Sequence, residues 1–380
     1  MTTPGPREPA TPTRLRRDLW LWLLSLVGAG VLLWLASFRI RLWPEQLALP
    51  RPDLLAAAAA LHLPYSLARA LRLRYALDPR VRAATGDPRA RVPRDLLYGS
   101  GLVSFLVIIL LPLRLGELSR PLLLARGGVP GVGLPEAIAA IAGERVVDGL
   151  IVVSLVLVGV AWASALVPGF GEGVVGVTQV SRGMGLVFLA LMTGLVVLAL
   201  APRRWLERLT GELPDRLAGF ILHFAATLRD LSDPRMGLPL LLWSAVYWAL
   251  TVAQLWLVLH ACGLALGLAE AAAIVGIVGL SIQLPGGPAQ VGSYQVGSVL
   301  ALSLFIAADD LETAGASFVA VSFVLGLLGA AVLAVPGAWL LARAARRPGP
   351  QRPPAGAGAA EPEAEPEAES AAKSAASSEA

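Results

Sequence analysis

Three short clusters of polar and backbone-breaking residues interrupt an otherwise apolar chain. Their residue types suit headgroup binding or proton carriage inside a membrane. The first, residues 111–121, carries Arg114, Gly116, Glu117 and Arg120. The second is Glu144-Arg145-Val146-Val147-Asp148. The third, residues 284–295, carries Pro285, Gly286, Gly287, Pro288, Gly292, Tyr294 and Gln295 and no formal charge. Ionisable groups at membrane depth are expensive and mark functional sites by default. Broken backbone there must be buried in protein or line a wet cavity, because lipid satisfies no freed N–H or C=O group.

Each cluster admits a functional and a structural reading. Glu117, flanked by Arg114 and Arg120, is a proton-carrier candidate or half of an ion pair that pins a hairpin. Arg120 precedes Pro121, which biases the chain there away from α. An arginine at such a break grips phosphate bidentately or snorkels to the interface. Glu144 and Asp148, at i and i+4, share a helix face, and Arg145 is placed to pair with Asp148. Glu144 is then left for Arg114 or Arg120, and with Glu117 it is the other proton-carrier candidate. In the third cluster the glycines permit positive φ and the prolines forbid a continuous helix. A helix restarting near Gly292 aims N–H groups inward, an arrangement that favours anions, with Tyr294 and Gln295 as neutral hydrogen-bonding partners. The alternative is a tightly packed kinked helix.

Other chemistries find no motif. One cysteine, Cys262, and three scattered histidines, His62, His223 and His260, offer no metal set. Nucleophile elbows, zinc-protease motifs and phosphate loops are absent from the sequence. No catalytic residue and no cofactor is assigned.

The elements that hold these clusters follow from composition. Hydrophobic residues make up 56% and charged residues 15%, against about 25% charged in soluble domains. Apolar runs reach the ~20 residues that cross a bilayer. The expectation is an all-α polytopic membrane protein. Full spans fall near 19–38, 53–70, 135–161, 183–201, 238–262 and 314–342. Two further apolar stretches, 95–126 and 271–308, hold the interruptions. Arginines crowd 69–94, 202–235 and the C-terminal flank and are sparse in 168–182 and 263–270. By the positive-inside rule the former and both termini are cytoplasmic. The count closes if 95–126 and 271–308 are re-entrant hairpins entering from opposite faces: six spans and two hairpins, eight apolar segments. A pair of Gly/Pro-broken segments is a pointer to a transport site. Residues 211–236 have helical apolar spacing, as an interfacial amphipathic helix or a solvated linker helix. Gln254 is placed for an interhelical hydrogen bond. Residues 1–17 form a basic tail expected to be disordered. Residues 346–380, rich in Pro, Ala and Glu, are expected to be a solvated tail without a core. The domain between is 18–345.

The three clusters together resemble one family. "LPLRLGELSRPLLLARGGV" followed by "AIAAIAGERVVDGL" is similar to its Pro-x-Arg-x-Gly-Glu segment and Glu-Arg-x-x-Asp helix. "LPGGPAQVGSYQVGSVLAL" is similar to its Pro-Gly-x-x-Gly-x-x-Glu/Gln segment. The family is the lysylphosphatidylglycerol synthase transmembrane region, also called flippase-like or UPF0104, and the resemblance covers about residues 18–345. It implies an inner-membrane protein of bacterial type that handles lipid between leaflets. It picks out Arg114, Gly116, Glu117, Glu144, Arg145, Asp148, Pro285, Gly286, Gly292 and Gln295. Where many members have Glu, this chain has Gln295, and Gly287-Pro288 looks added. The aminoacyl-transfer domain of the two-domain members has no counterpart here, so that activity is not carried over.

The function expected is binding or translocation of a membrane phospholipid or lipid-linked substrate. A membrane-embedded transferase on such a substrate, or a non-catalytic partner of a neighbouring lipid-modifying enzyme, is the alternative. Nucleic acid is not an expected partner, and the sequence does not set the oligomeric state.

Overall fold

The computed structural model describes residues 46–166, 196–211, 213–231, 233–283 and 287–346, with a few isolated positions besides. The expected spans 19–38 and 183–201 fall mainly outside these residues, as do both tails and segment 168–182. The described helices belong to one compact unit ending at Arg346.

Among the described residues the regular structure is entirely helical. In chain order the helices are α1 (Pro52–Leu71), α2 (Arg74–Thr85), α3 (Arg94–Leu110), α4 (Ser119–Arg126), α5 (Leu134–Leu166), α6 (Arg203–Thr210), α7 (Asp215–Leu231), α8 (Pro234–Ala261), α9 (Leu268–Ser281), α10 (Ser293–Leu302) and α11 (Ala316–Ala345). Four helical stretches are long and apolar enough to cross a membrane: Pro52–Thr85, Leu134–Trp162, Pro234–Ala261 and Ala308–Ala345. They coincide with four of the six spans expected from sequence.

Local signals set the ends. Pro52 opens α1 and Pro234 opens α8, where a missing N–H costs nothing and φ is preset. The Asp233 carboxylate accepts from the Arg235 N–H and caps α8. Gly86 closes α2 with φ 70°, a conformation a Cβ would resist.

Both interrupted stretches are broken. The first runs as α3, a 3-10 segment over Pro112–Leu118, then α4. The second runs as α9, a 3-10 turn over Pro288–Gln290, then α10. The two 3-10 segments pack against each other. Around them α3 lies on α11, α1 on α8, and α5 on α9. Small residues allow these approaches. A Cβ on Gly99 would sit 2.9 Å from the Gly337 carbonyl oxygen, and one on Gly159 would sit 2.8 Å from that of Ala269. Without a hydrophobic drive between helices in lipid, such close backbone packing is what holds them together.

Two sequence readings are refined here. In residues 69–94, the arginine-rich segment, α1 and α2 cover most of the chain, and Arg69 and Arg72 are buried. Arg120 is helical despite Pro121, because Pro121 falls in the first turn of α4, where proline fits. Arg120 is also 2% exposed, so it does not snorkel.

α7 packs on α5 and α2. Arg229 from α7 donates to the Ala199 and Ala201 carbonyls at 2.8 and 2.6 Å, satisfying acceptors at the end of the preceding segment.

Candidate functional site

The centre of the site is Arg72, which follows the last residue of α1. It is fully buried. Its guanidinium donates to Glu144, to both carboxylate oxygens of Asp148 and, at 3.1 Å, to the Ser244 hydroxyl of α8. Glu144 also accepts from Arg120 at 3.1 Å. Arg120 in turn donates to the Ala70 carbonyl at 3.1 Å, one of the acceptors left open at the end of α1. One carboxylate thus ties α1, α4 and α5 together. Burying a charge is tolerable only when it is paired and hydrogen-bonded, and this arrangement meets that condition.

The expected pairings are present. Arg145 lies 3.8 Å from Asp148, and Glu144 meets Arg120. Arg145 also reaches Glu117 of the first interruption at 3.4 Å. These two side chains differ from the inner set, being 33% and 24% exposed where Glu144 is sealed. The network therefore has a locked core, Arg72–Glu144–Arg120, and an accessible edge, Arg145–Glu117.

Sequence reading missed Arg69, Arg72, Ser244 and Trp248. A signal was available: Glu144 and Asp148 sit within an apolar helix and need cations, and Arg69 and Arg72 are three apart at the end of another apolar helix. Trp248 donates its indole N–H to Asp148 at 3.0 Å. Replacing Trp248 with phenylalanine keeps most of the ring and removes that donor. A hydrogen bond to a charged group contributes about 1.5–3 kcal/mol, so thermal unfolding in detergent should report a clear loss of stability.

A cavity of about 230 Å³ lies beside the network. Its wall includes Tyr65, Phe105, Tyr247 and Trp248 from α1, α3 and α8, and Ala289, Gln290 and Tyr294 from the second interruption. The first group forms a chain of edge and tilted ring contacts from Phe105 through Tyr65 and Tyr247 to Trp248. Arg72 sits over the Tyr247 ring at 4.8 Å. Trp248 thus faces the charges with its N–H and the cavity with its ring. Gln254, also on the wall, donates to the Ala58 carbonyl at 2.8 Å, the interhelical bond expected between α8 and α1.

The second interruption differs in detail from expectation. Gly287 does not use positive φ; it is extended at φ −71° and ψ 179°, as a residue before proline prefers. The left-handed residues are Ala289 (φ 59°), Gln290 (φ 60°) and Gly292 (φ 91°). Two non-glycine residues in that region store backbone strain, which clusters at ligand sites. Gln295 is turned back on its own helix, accepting from the Gly292 N–H at 2.8 Å. Tyr294 donates to the Ser322 hydroxyl at 2.9 Å. Pro285, Gly286 and the Arg114 side chain lie outside the described residues. Gly116 packs its open face against the backbone of Val107 and Ile108, which folds the first interruption back on α3. No group of metal-ligating side chains occurs among the described residues.

The family model described as the lysylphosphatidylglycerol synthase TM region matches residues 21–329. The chain belongs to this family. No curated protein and no solved structure matches it. The matched stretch of the lysylphosphatidylglycerol synthase TM region contains the whole ion network, both interruptions and the cavity wall. It is a membrane domain of a family related to lipid handling.

Proposed function

We propose that this domain binds a phospholipid or lipid-linked substrate and carries it between the leaflets of a bacterial-type inner membrane. The observation that supports this most is the shared wall: Tyr247 and Trp248 touch the charged network on one side and line an apolar cavity on the other. An amphipathic site of that kind matches an amphipathic ligand, with the headgroup at the ions and an apolar chain in the cavity. In this reading Arg145 and Glu117 are the exchanging pair, because they are the accessible edge. Arg72, Arg120, Glu144 and Asp148 hold the frame. The second interruption adds Ala289, Gln290 and Tyr294 to the cavity wall, with Gly287, Gly292 and Gln295 shaping the turn that presents them.

The proposed topology has six spans and two re-entrant hairpins from opposite faces, with both termini cytoplasmic. α3 has 17 residues and α9 has 14, about 26 and 21 Å of helix. Both are shorter than the ~30 Å hydrocarbon core, which favours entry and return over crossing. Removing buried Arg69 and Arg72 from the count leaves six arginines in 69–94, equal to the six in 202–235, so the positive-inside assignment is retained.

The test is leaflet exchange of fluorescent phospholipids in proteoliposomes. Protein-dependent exchange is expected, with a folded Glu117→Gln variant slowed roughly tenfold or more, since a charge-assisted contact at the moving edge is lost. Exchange no faster than in empty vesicles would defeat the proposal and favour a partner of a lipid-modifying enzyme. A transferase is disfavoured because Glu144 and Asp148, its candidate bases, are engaged by guanidinium groups.

A further inference from the structure

Among the described residues, the charges in and beside the network do not cancel: four guanidinium groups, Arg69, Arg72, Arg120 and Arg145, face three carboxylates, Glu117, Glu144 and Asp148. The surplus is Arg69. It is 5% exposed, yet no carboxylate among the described residues lies within ion-pair distance of it. Its guanidinium rests 4.6 Å from the centre of the Phe105 ring, and its backbone carbonyl faces Arg120. Phe105 and Tyr65, one helical turn before Arg69, both line the cavity. A buried cation without a counter-charge is costly and calls for an anion to complete it.

Resting on the lipid reading above, we propose that Arg69 is the phosphate contact of this site. It makes the site selective for lipids with a net negative, phosphate-bearing headgroup over lipids whose headgroup adds a compensating ammonium. The phosphate takes the fork of Arg69, a geometry that suits a phosphate ester. An acyl chain occupies the cavity beyond Phe105, whose 230 Å³ exceeds the ~150 Å³ that suffices for benzene. Two of the cavity's rings, Phe105 and Tyr247, already carry guanidiniums on their faces, so a cationic headgroup placed there meets positive charge. The acidic groups are each committed to arginine partners.

Equilibrium binding to the detergent-solubilised full chain, followed by native mass spectrometry, tests this with four short-chain probes. They are phosphatidylglycerol, its lysyl ester, diacylglycerol, and glycerol phosphate without chains. Phosphatidylglycerol is expected to bind at least about tenfold more tightly than the lysyl ester or diacylglycerol, the effect of one charged contact. In Arg69→Gln the preference over the lysyl ester should disappear while some binding persists; in Arg69→Lys it should partly remain. Equal or tighter binding of the lysyl ester to the wild-type protein would overturn the selectivity without touching the lipid reading. Glycerol phosphate binding as tightly as the lipid would overturn the lipid as the source of the phosphate. Absence of binding by all four probes would overturn the lipid reading and this proposal together. The wild-type comparison alone decides selectivity, so the result does not depend on how well the variants fold.

Discussion

Replacing Glu144 with leucine is expected to cost about 3–5 kcal/mol of stability, the range for removing one partner of a buried ion pair. The reason is geometric. Glu144 is fully buried and holds both Arg72 and Arg120. Its loss leaves Arg120 with only backbone carbonyls and reduces Arg72 to Asp148 and Ser244. Two desolvated guanidiniums then press on each other at the junction of α1, α4 and α5. The expected result is a large fall in the thermal midpoint in detergent, with loss of monodisperse protein. The double variant Glu144→Leu, Arg120→Leu should be less damaged than Glu144→Leu alone, because it removes one of the stranded charges. A double variant as unstable as the sum of the two singles would show that the pair is not coupled.

The second large effect is expected at Gly116. A Cβ there would fall on the Val107 carbonyl oxygen and within 2.5 Å of the Ile108 Cα. Those are backbone atoms of α3, so no side-chain rotation relieves the clash. Gly116→Ala should therefore cost at least the ~1–3 kcal/mol typical of overpacking and displace the 3-10 segment that carries Glu117. Leaflet exchange should fall with it. Gly219→Ala is the matched control. Nothing lies within 4 Å of that Cβ position in α7, and alanine favours helix over glycine by up to about 1 kcal/mol. A Gly116→Ala protein with wild-type midpoint and exchange would mean that the close approach of the interruption to α3 is not needed.

Much of the site was legible from residue type because membrane sequence has little noise. Against an apolar background, Glu117, Glu144, Arg145 and Asp148 stand out, and helical spacing alone places Glu144 and Asp148 on one face. Pro112 and the Pro288 turn announce the breaks, and both stretches do break there. The pairing of Arg145 with Asp148 is local, three residues apart, so spacing suffices to find it.

The arginines of residues 69–94 were harder to read. Eight in one stretch look like a charged loop, and charge counting cannot separate one that faces solvent from one that turns inward. Arg72 finds Glu144 and Asp148 across more than seventy residues of chain, a distance at which no periodicity carries information. Gly287 and Gln295 differ for local reasons: the proline after Gly287 holds it extended, and the Gln295 side chain caps its own helix.

The sequence by itself determined the membrane class, the family, the two breaks and the acidic pair Glu144 and Asp148 on one helix face, because those follow from composition and local spacing. Only the tertiary structure decided which cations meet those acids, that Arg69 is left over, and that an aromatic wall joins the ions to a cavity. Such choices depend on how α1, α3, α5 and α8 pack, and packing brings together residues that the chain order keeps apart.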